Sequence, residues 1–372
     1  MKNITLEFGQ VTTKTIATPN DFISHMLEHI AWRMGCSIVL EWDDRDWKGL
    51  GLAFAAALRA FPVRNRVGAA LGMIDDGSAE VGVELDDAAG LALKSSAEID
   101  LEYFLSLRCE QLSSGSPLIE LLEGISAGLD ARITVLVCSF ADPHHTWEGI
   151  FRGVGTALHY IYGPPYAAGN FSSAEDTALI REGIEIMRCS CRTAVVRRQT
   201  AESELLLNID FGGPAAASFQ YQGTAIEHFD NSQALAGLQD LLNIIAAASG
   251  FSLGVVFTSR ALSSSHVLLE DTGMVLGRAL REILVRRMED LGINGAGSSL
   301  AKPADISGQT VSVGISVEGR KSCQFVPLAA SRSLLYKNLI LGHTVFGGLY
   351  SEDLDDFFDG FSWGLGLSLI HI

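Results

Sequence analysis

Residues 142–152 read D-P-H-H-T-W-E-G-I-F-R. Asp142 is a natural helix N-cap and Pro143 suits the first helical position. Helical spacing then puts His144 and Glu148 four apart, and His145 and Glu148 three apart, on neighbouring faces of one turn. Neutral imidazoles and a carboxylate so placed can share a transition-metal ion. The plainer reading is solvated histidines beside a surface glutamate, and a lone His/Glu pair would usually be that. A contiguous His-His-x-x-Glu is rarer, so both readings stay open. His266 and Glu270 repeat the four-residue spacing at the start of another helix, behind a run of serines that supplies capping oxygens. Alone, that pair would be an ordinary polar contact.

Two further stretches imitate catalytic motifs. G-I-S-A-G (124–128) matches the nucleophile elbow G-x-S-x-G, which needs a strand, a sharp turn and then a helix. Here a helical pattern precedes Ser126 and a strand follows it, so the match is set aside. G-I-N-G-A-G-S-S-L (292–300) is glycine-rich, but no lysine follows and no strand leads into a helix; it reads as a turn.

The elements around these residues occur twice. D-F-I-S-H-M-L-E-H-I-A-W-R-M-G (21–35) and L-A-G-L-Q-D-L-L-N-I-I-A-A-A-S-G (235–250) are apolar-periodic helices that end at glycine and run into alternating strands. A second helix follows each, over 49–61 and 270–284. The helix-to-strand stretch 116–137 has its counterpart in 351–372. The order helix, strand, helix, several strands, helix, strand therefore appears in two homologous halves, about 1–165 and 194–372. Between them, Y-G-P-P-Y-A-A-G-N-F-S-S-A-E-D (162–176) has linker composition and leads into one expected helix, T-A-L-I-R-E-G-I-E-I-M-R-C-S. Short alternating strands interleaved with helices indicate an α+β class.

Composition narrows the partners. The chain of 372 residues is 48% hydrophobic and 19% charged, as a globular protein is, and carries a net charge of -17. Such an acidic surface repels phosphate backbones, so no nucleic-acid partner is expected, while divalent cations would be tolerated. The six cysteines are scattered, without a CxxC pair, and Cys189 and Cys191 read as inert. The start M-K-N-I-T-L-E-F-G does not read as a signal peptide, and no stretch approaches the ~18–20 apolar residues of a membrane span. A cytoplasmic protein with no membrane partner is the expectation.

Together the pieces resemble one family, imidazoleglycerol-phosphate dehydratase, in two tandem, partly degenerate copies covering nearly all of the chain. In the first half, F-I-S-H-M-L resembles the family's F-L-D-H-M-L and keeps His25. H-H-T-W-E-G-I-F followed by Arg152 resembles H-H-x-x-E-x-x-F-K and keeps His144, His145 and Glu148, with arginine in place of lysine. Arg66 in R-V-G-A-A-L matches the arginine of an R-F-G turn. The D-D-H-H-T-V-E-D block appears as W-D-D-R-D-W-K-G, Thr134 stands at the T-L-H histidine, and the leading strand is missing.

The second half is nearly the complement. R-Q-T-A-E-S (198–203) resembles the leading R-x-T-x-E-[ST] strand, with Glu202 at the family's acid/base position. H-V-L-L-E-D-T-G keeps His266 and Glu270 but has Val267 for the other histidine. E-G-R-K resembles the S-G-R turn and carries Arg320. This copy is read as cut short at L-S-L-I-H-I, before a second H-H-x-x-E.

The resemblance implies two modules (1–165 and 194–372, with a linker and helix at 166–193). Each would be built of two similar α+β halves with helices packed between mixed sheets, a ribosomal protein S5 domain 2-like fold. It implies manganese, two ions per site, held here by His25, His144, His145, Glu148, His266 and Glu270. Glu202 would be the catalytic acid/base, and Arg66, Arg152 and Arg320 would bind substrate. The implied activity is dehydration of imidazole glycerol phosphate, a small phosphorylated imidazole, to imidazole acetol phosphate in histidine biosynthesis. Sites built between subunits imply a homo-oligomer. Two alternatives remain open: a metal-dependent lyase acting on another substrate, and a non-catalytic structural or regulatory paralogue.

Overall fold

The computed structural model of the chain describes residues 2–8, 13–86, 88–164, 176–223, 231–260, 265–292, 294–300, 311–317, 321–325, 344–366 and 368–371. The first half begins with β1 (Lys2–Phe8), β2 (Lys14–Ala17), α1 (Asp21–Met34), β3 (Cys36–Trp42) and α2 (Trp47–Leu58). β1 pairs antiparallel and β2 parallel with the central β3. It continues with β4 (Val67–Ile74), β5 (Gly77–Leu85), β6 (Gly90–Ser95), α3 (Leu101–Ser106), α4 (Ser116–Leu129), β7 (Ala131–Ser139) and α5 (Pro143–Tyr162). These strands form a sheet of order β4-β5-β7-β6, with β6 and β7 parallel.

Helices α1 and α2 lie on the first sheet, and α4 and α5 on the second. Contacts of α1 with α5 and of α2 with α4 close a sandwich of helices between two mixed sheets. One apolar core runs through it, from Ile23, Met26 and Ile30 of α1 to Val81, Val135 and Phe151. Each such side chain contributes roughly 1.5–3 kcal/mol when taken out of water.

The second half repeats the scheme with β8 (Asp176–Arg181), β9 (Ile184–Cys189), β10 (Thr193–Gln199), β11 (Ser203–Asp210), β12 (Ala217–Gln222), α6 (Asn231–Ser249), β13 (Ser252–Ser259) and α7 (Ser265–Leu291). After these come β14 (Ala296–Leu300), β15 (Ser312–Ser316), β16 (Ser322–Phe325), β17 (Thr344–Phe346), β18 (Leu349–Tyr350), α8 (Ser351–Leu365) and β19 (Ser368–His371). The strand orders β10-β11-β13-β12 and β14-β15-β19-β16 match β4-β5-β7-β6, each with its last two strands parallel. The β1-β3-β2 sheet is that pattern without its first strand. α7 packs on the larger sheet and against α8, over a second core that includes Leu205, Val255, Leu276 and Phe357.

The helix expected after the linker is instead the hairpin β8–β9, which extends the second half's first sheet to six strands. Its two-residue turn, Glu182-Gly183, has φ of 54° and 77°. Positive φ at both positions is what a twisted hairpin requires. Ile184 and Ile186 alternate inward while Met187 and Arg188 are exposed, a period of two broken only near the end. R-Q-T-A-E-S, expected as one strand, is likewise split: β10 and β11 pair antiparallel about a turn that carries Glu202.

Neither motif set aside is catalytic in form, but 292–300, expected as a turn, carries strand β14 over Ala296–Leu300, which pairs antiparallel with β15. Ser126 is buried within α4 and donates to the Ala131 carbonyl at 2.7 Å. The six cysteines stand outside disulfides, and burial pushes the Cys36, Cys109 and Cys138 thiols up to about 12. Among the described residues, no helix is long and apolar enough to cross a membrane.

Candidate metal centre

Two helices build the centre. α1 starts where the Asn20 side chain accepts from the Ile23 amide at 3.0 Å, and it stops at Gly35, whose φ is 68°. Phe22, Ile23, Met26, Leu27, Ile30 and Met34 form its buried stripe, at three- and four-residue spacing. His25 and His29, four apart, lie along the edge of that stripe that meets α5.

α5 is capped as its sequence indicates, with the Asp142 carboxylate accepting from the His144 amide at 2.7 Å and Pro143 in the first turn. Small residues let it lie close to the sheet beneath. A Cβ on Gly72 of β4 would come 2.0 Å from the Gly149 carbonyl oxygen and 2.2 Å from the Gly153 nitrogen. That depth buries Glu148 and turns it toward α1.

Three imidazoles converge on one oxygen of Glu148. Oε1 lies 2.8 Å from His25 Nε2, 2.9 Å from His29 Nε2 and 3.3 Å from His144 Nε2. The two Nε2 atoms of α1 are 3.2 Å apart. His25 Nδ1 faces Glu28 at 3.4 Å, and His144 Nδ1 faces Glu110 at 2.9 Å.

The electrostatics follow from burial. Burial alone would raise the Glu148 carboxyl; hydrogen bonds from His25 and His29, with the charge of Arg152, outweigh it and hold the group well below the usual range. Bonding to Glu148 raises His25, whereas burial brings His29 down to about 4. His29 is thus a neutral imidazole at physiological pH, the form that ligates metals.

His145 points elsewhere. Its Nδ1 is 2.7 Å from Asp76 Oδ1 and its Nε2 is 3.5 Å from Asp75 Oδ2, on the β4–β5 turn. Arg152 is buried one turn beyond Glu148, with Nη1 3.5 Å from the Met73 carbonyl and the guanidinium 5.3 Å from the Trp32 ring centre. Arg66 is exposed and pairs with Asp86.

The second-half candidates form a different group. His266, at the start of α7, has Nε2 3.2 Å from Glu270 Oε2 and Nδ1 2.8 Å from Asp356 Oδ2 of α8. The bond to Asp356 raises its pKa despite partial burial. Glu202 and Glu270 line one cavity of about 320 Å³ with Arg198, Thr200, Val267 and Asp271. Arg320 lies outside the described residues. The structure therefore brings His25, His144 and Glu148 together on the first half, and on the second it brings Glu202 and Glu270 to one cavity, with His266 paired to Glu270.

Reading the sequence by motif missed His29, Glu110 and the Asp75/Asp76 pair. His29 carried a visible signal, H-x-x-x-H over 25–29. The acidic partners lie in turns far along the chain and carried none.

No protein-family model matches the chain. It is 25% identical over 178 residues to the imidazoleglycerol-phosphate dehydratase of Limosilactobacillus fermentum, a match covering 48% of this chain and 76% of the relative. The dehydratase of Parafrankia sp. is 29% identical over 132 residues, 34% of this chain and 62% of the relative. The chain resembles imidazoleglycerol-phosphate dehydratases. A crystal structure of IGPD from Pyrococcus furiosus aligns at 26% identity and a TM-score of 0.36, over 44% of this chain and 93% of that one.

The residues around Glu148 fit a divalent transition-metal ion by the chemistry of their donor atoms. Neutral imidazole nitrogens with one carboxylate oxygen are a donor set for manganese, iron or zinc. His25, His29 and Glu148 offer three ligand atoms all within 4.8 Å of one another.

Proposed function

We propose that the chain is a manganese-dependent hydro-lyase of the imidazoleglycerol-phosphate dehydratase type, converting imidazole glycerol phosphate to imidazole acetol phosphate. The observation that carries this reading is the convergence of His25 and His144 with Glu148, from two family-like motifs, on one point.

The ion would be held by the Nε2 atoms of these histidines and by Oε1 of Glu148. When bound, it would supply Lewis-acid stabilisation of negative charge on the substrate's imidazole ring. The chain's residues would do the rest. Glu202, at an open hairpin turn, would take the proton from the glycerol carbon and return one to the leaving hydroxyl. Arg198, 2.8 Å from Asp271, walls the same cavity. Arg66 would exchange its exposed partner Asp86 for the substrate phosphate, and Arg320 would add a second cation. Glu202 and the metal-holding residues stand on different halves, and the complete site would bring such halves together across a subunit contact in a homo-oligomer, as the family resemblance implies.

The test is rescue of a histidine auxotroph lacking the dehydratase, with manganese content measured on the purified protein. Growth with bound manganese supports the reading. Bound metal without growth would point to a lyase with another substrate. No metal and no growth would favour a structural or regulatory relative, a reading to which His266 lends some weight, since both its ring nitrogens already face carboxylates.

A further inference from the structure

We propose that His29 is a metal ligand, and that His25, His29 and Glu148, flanked by His144, bind one divalent transition-metal ion within a single chain. The inference rests on the metal-dependent reading above and extends it to a residue outside the F-L-D-H-M-L and H-H-x-x-E motifs.

The geometry makes hydrogen bonding an incomplete account of the cluster. A carboxylate has about four lone-pair sites over its two oxygens, hence about two on each. Glu148 Oε1 faces three imidazole nitrogens at 2.8, 2.9 and 3.3 Å. If His25 and His29 both donated to it, two Nε2–H groups would also crowd each other at 3.2 Å. A cation among them removes the excess of donors, because each Nε2 then offers a lone pair.

The spacings are those of ligands on one ion. Metal–ligand bonds of about 2.0–2.2 Å, at octahedral or tetrahedral angles, set donor atoms roughly 2.8–3.6 Å apart. The trio shows 2.8, 2.9 and 3.2 Å. One turn of α1 imposes the separation of His25 from His29, and the deep seat of α5 sets Glu148 opposite both.

His29 also has no other evident employment. It is buried at 4% exposure, and among the described residues its Nδ1 has no hydrogen-bond partner. Among the described residues, its side-chain hydrogen bonds are with the other candidate ligands. Backbone helix bonds and the apolar stripe already hold α1 in place, and a leucine would fill that site without burying a polar ring.

The test uses the full chain, stripped with chelator and titrated with manganese or zinc alone, as wild type and as His29→Gln. Glutamine can still hydrogen-bond Glu148, so a purely structural His29 predicts unchanged affinity. The proposal predicts one ion per wild-type chain and at least tenfold weaker binding in the variant. Pulsed electron paramagnetic resonance of the manganese-loaded wild type should count His29 among the coordinated imidazole nitrogens, with one fewer in His29→Gln. If the variant does not fold, the wild-type count decides: three imidazoles, one more than His25 and His144 supply, support the proposal, and two or fewer overturn it. Equal affinity and equal nitrogen count in a folded variant overturn it while leaving the metal-dependent reading intact. A wild-type chain that binds no ion overturns both.

Discussion

The guanidinium of Arg33 donates to the hydroxyl of Ser316 at 2.6 Å, joining α1 of the first half to β15 of the second across 283 positions of sequence. Both side chains are buried, and the same face carries an Asn294 bond to the Arg33 carbonyl and a Ser312 bond to Glu80. The halves are thus joined by polar contacts, two of them at Arg33, one turn beyond His29 on the helix that carries His25 and His29. Ser316→Ala removes one acceptor from a buried cation and should lower stability by roughly 1–3 kcal/mol. Chemical denaturation of the two proteins would measure it; an unchanged midpoint would show that the contact carries no net energy.

The seat of α5 predicts a second effect. Because a Cβ at Gly72 would meet the Gly149 and Gly153 backbones, Gly72→Ala must push helix and sheet apart. A cost of about 1–3 kcal/mol is expected from overpacking. Metal affinity should fall with it, since Glu148 rides on the displaced helix. A variant of full stability and full affinity would refute the positioning argument.

The adjacent histidines should behave differently. His144 faces Glu148, whereas His145 faces Asp75 and Asp76. His144→Ala should therefore weaken manganese binding at the first-half centre several-fold, and His145→Ala much less. Paired calorimetric titrations would show it, and equal losses would mean that the two imidazoles serve one ion.

His159 supplies a pH dependence remote from the candidate metal centre. Its Nδ1 sits 2.8 Å from the Met34 carbonyl, and burial lowers its pKa below 6.5 despite that bond. The unfolded chain takes up a proton near pH 6.5 and the folded chain only lower, so stability falls as pH drops below about 6.5. Between pH 7.5 and 5.5, wild type should lose more stability than His159→Gln in parallel denaturation curves. Identical losses would assign the pH dependence elsewhere.

Some of this was readable without coordinates. The start of α5, with Asp142, Pro143, His144 and Glu148, is a matter of one turn, and local spacing settles such relations. The same holds for the helices that end at Gly35 and Gly250, both with positive φ. The hairpin at 176–189 was also local, but its turn dipeptide and alternating isoleucines lost out to a helical reading of the apolar residues around them.

The sequence by itself determined the α+β character, the recurrence of elements in two halves and the four-residue spacings of His144 with Glu148 and His266 with Glu270. These depend on bond geometry and side-chain periodicity within a few residues. Only the tertiary structure decided which groups share a site. His25 and Glu148 are 123 positions apart, and they meet because α5 sinks onto glycines of its sheet and α1 packs across it. The same packing brought His29 to Glu148 and sent His145 to the β4–β5 turn. It also left Glu202 with Glu270 on the other half, because each half closes its own hydrophobic core.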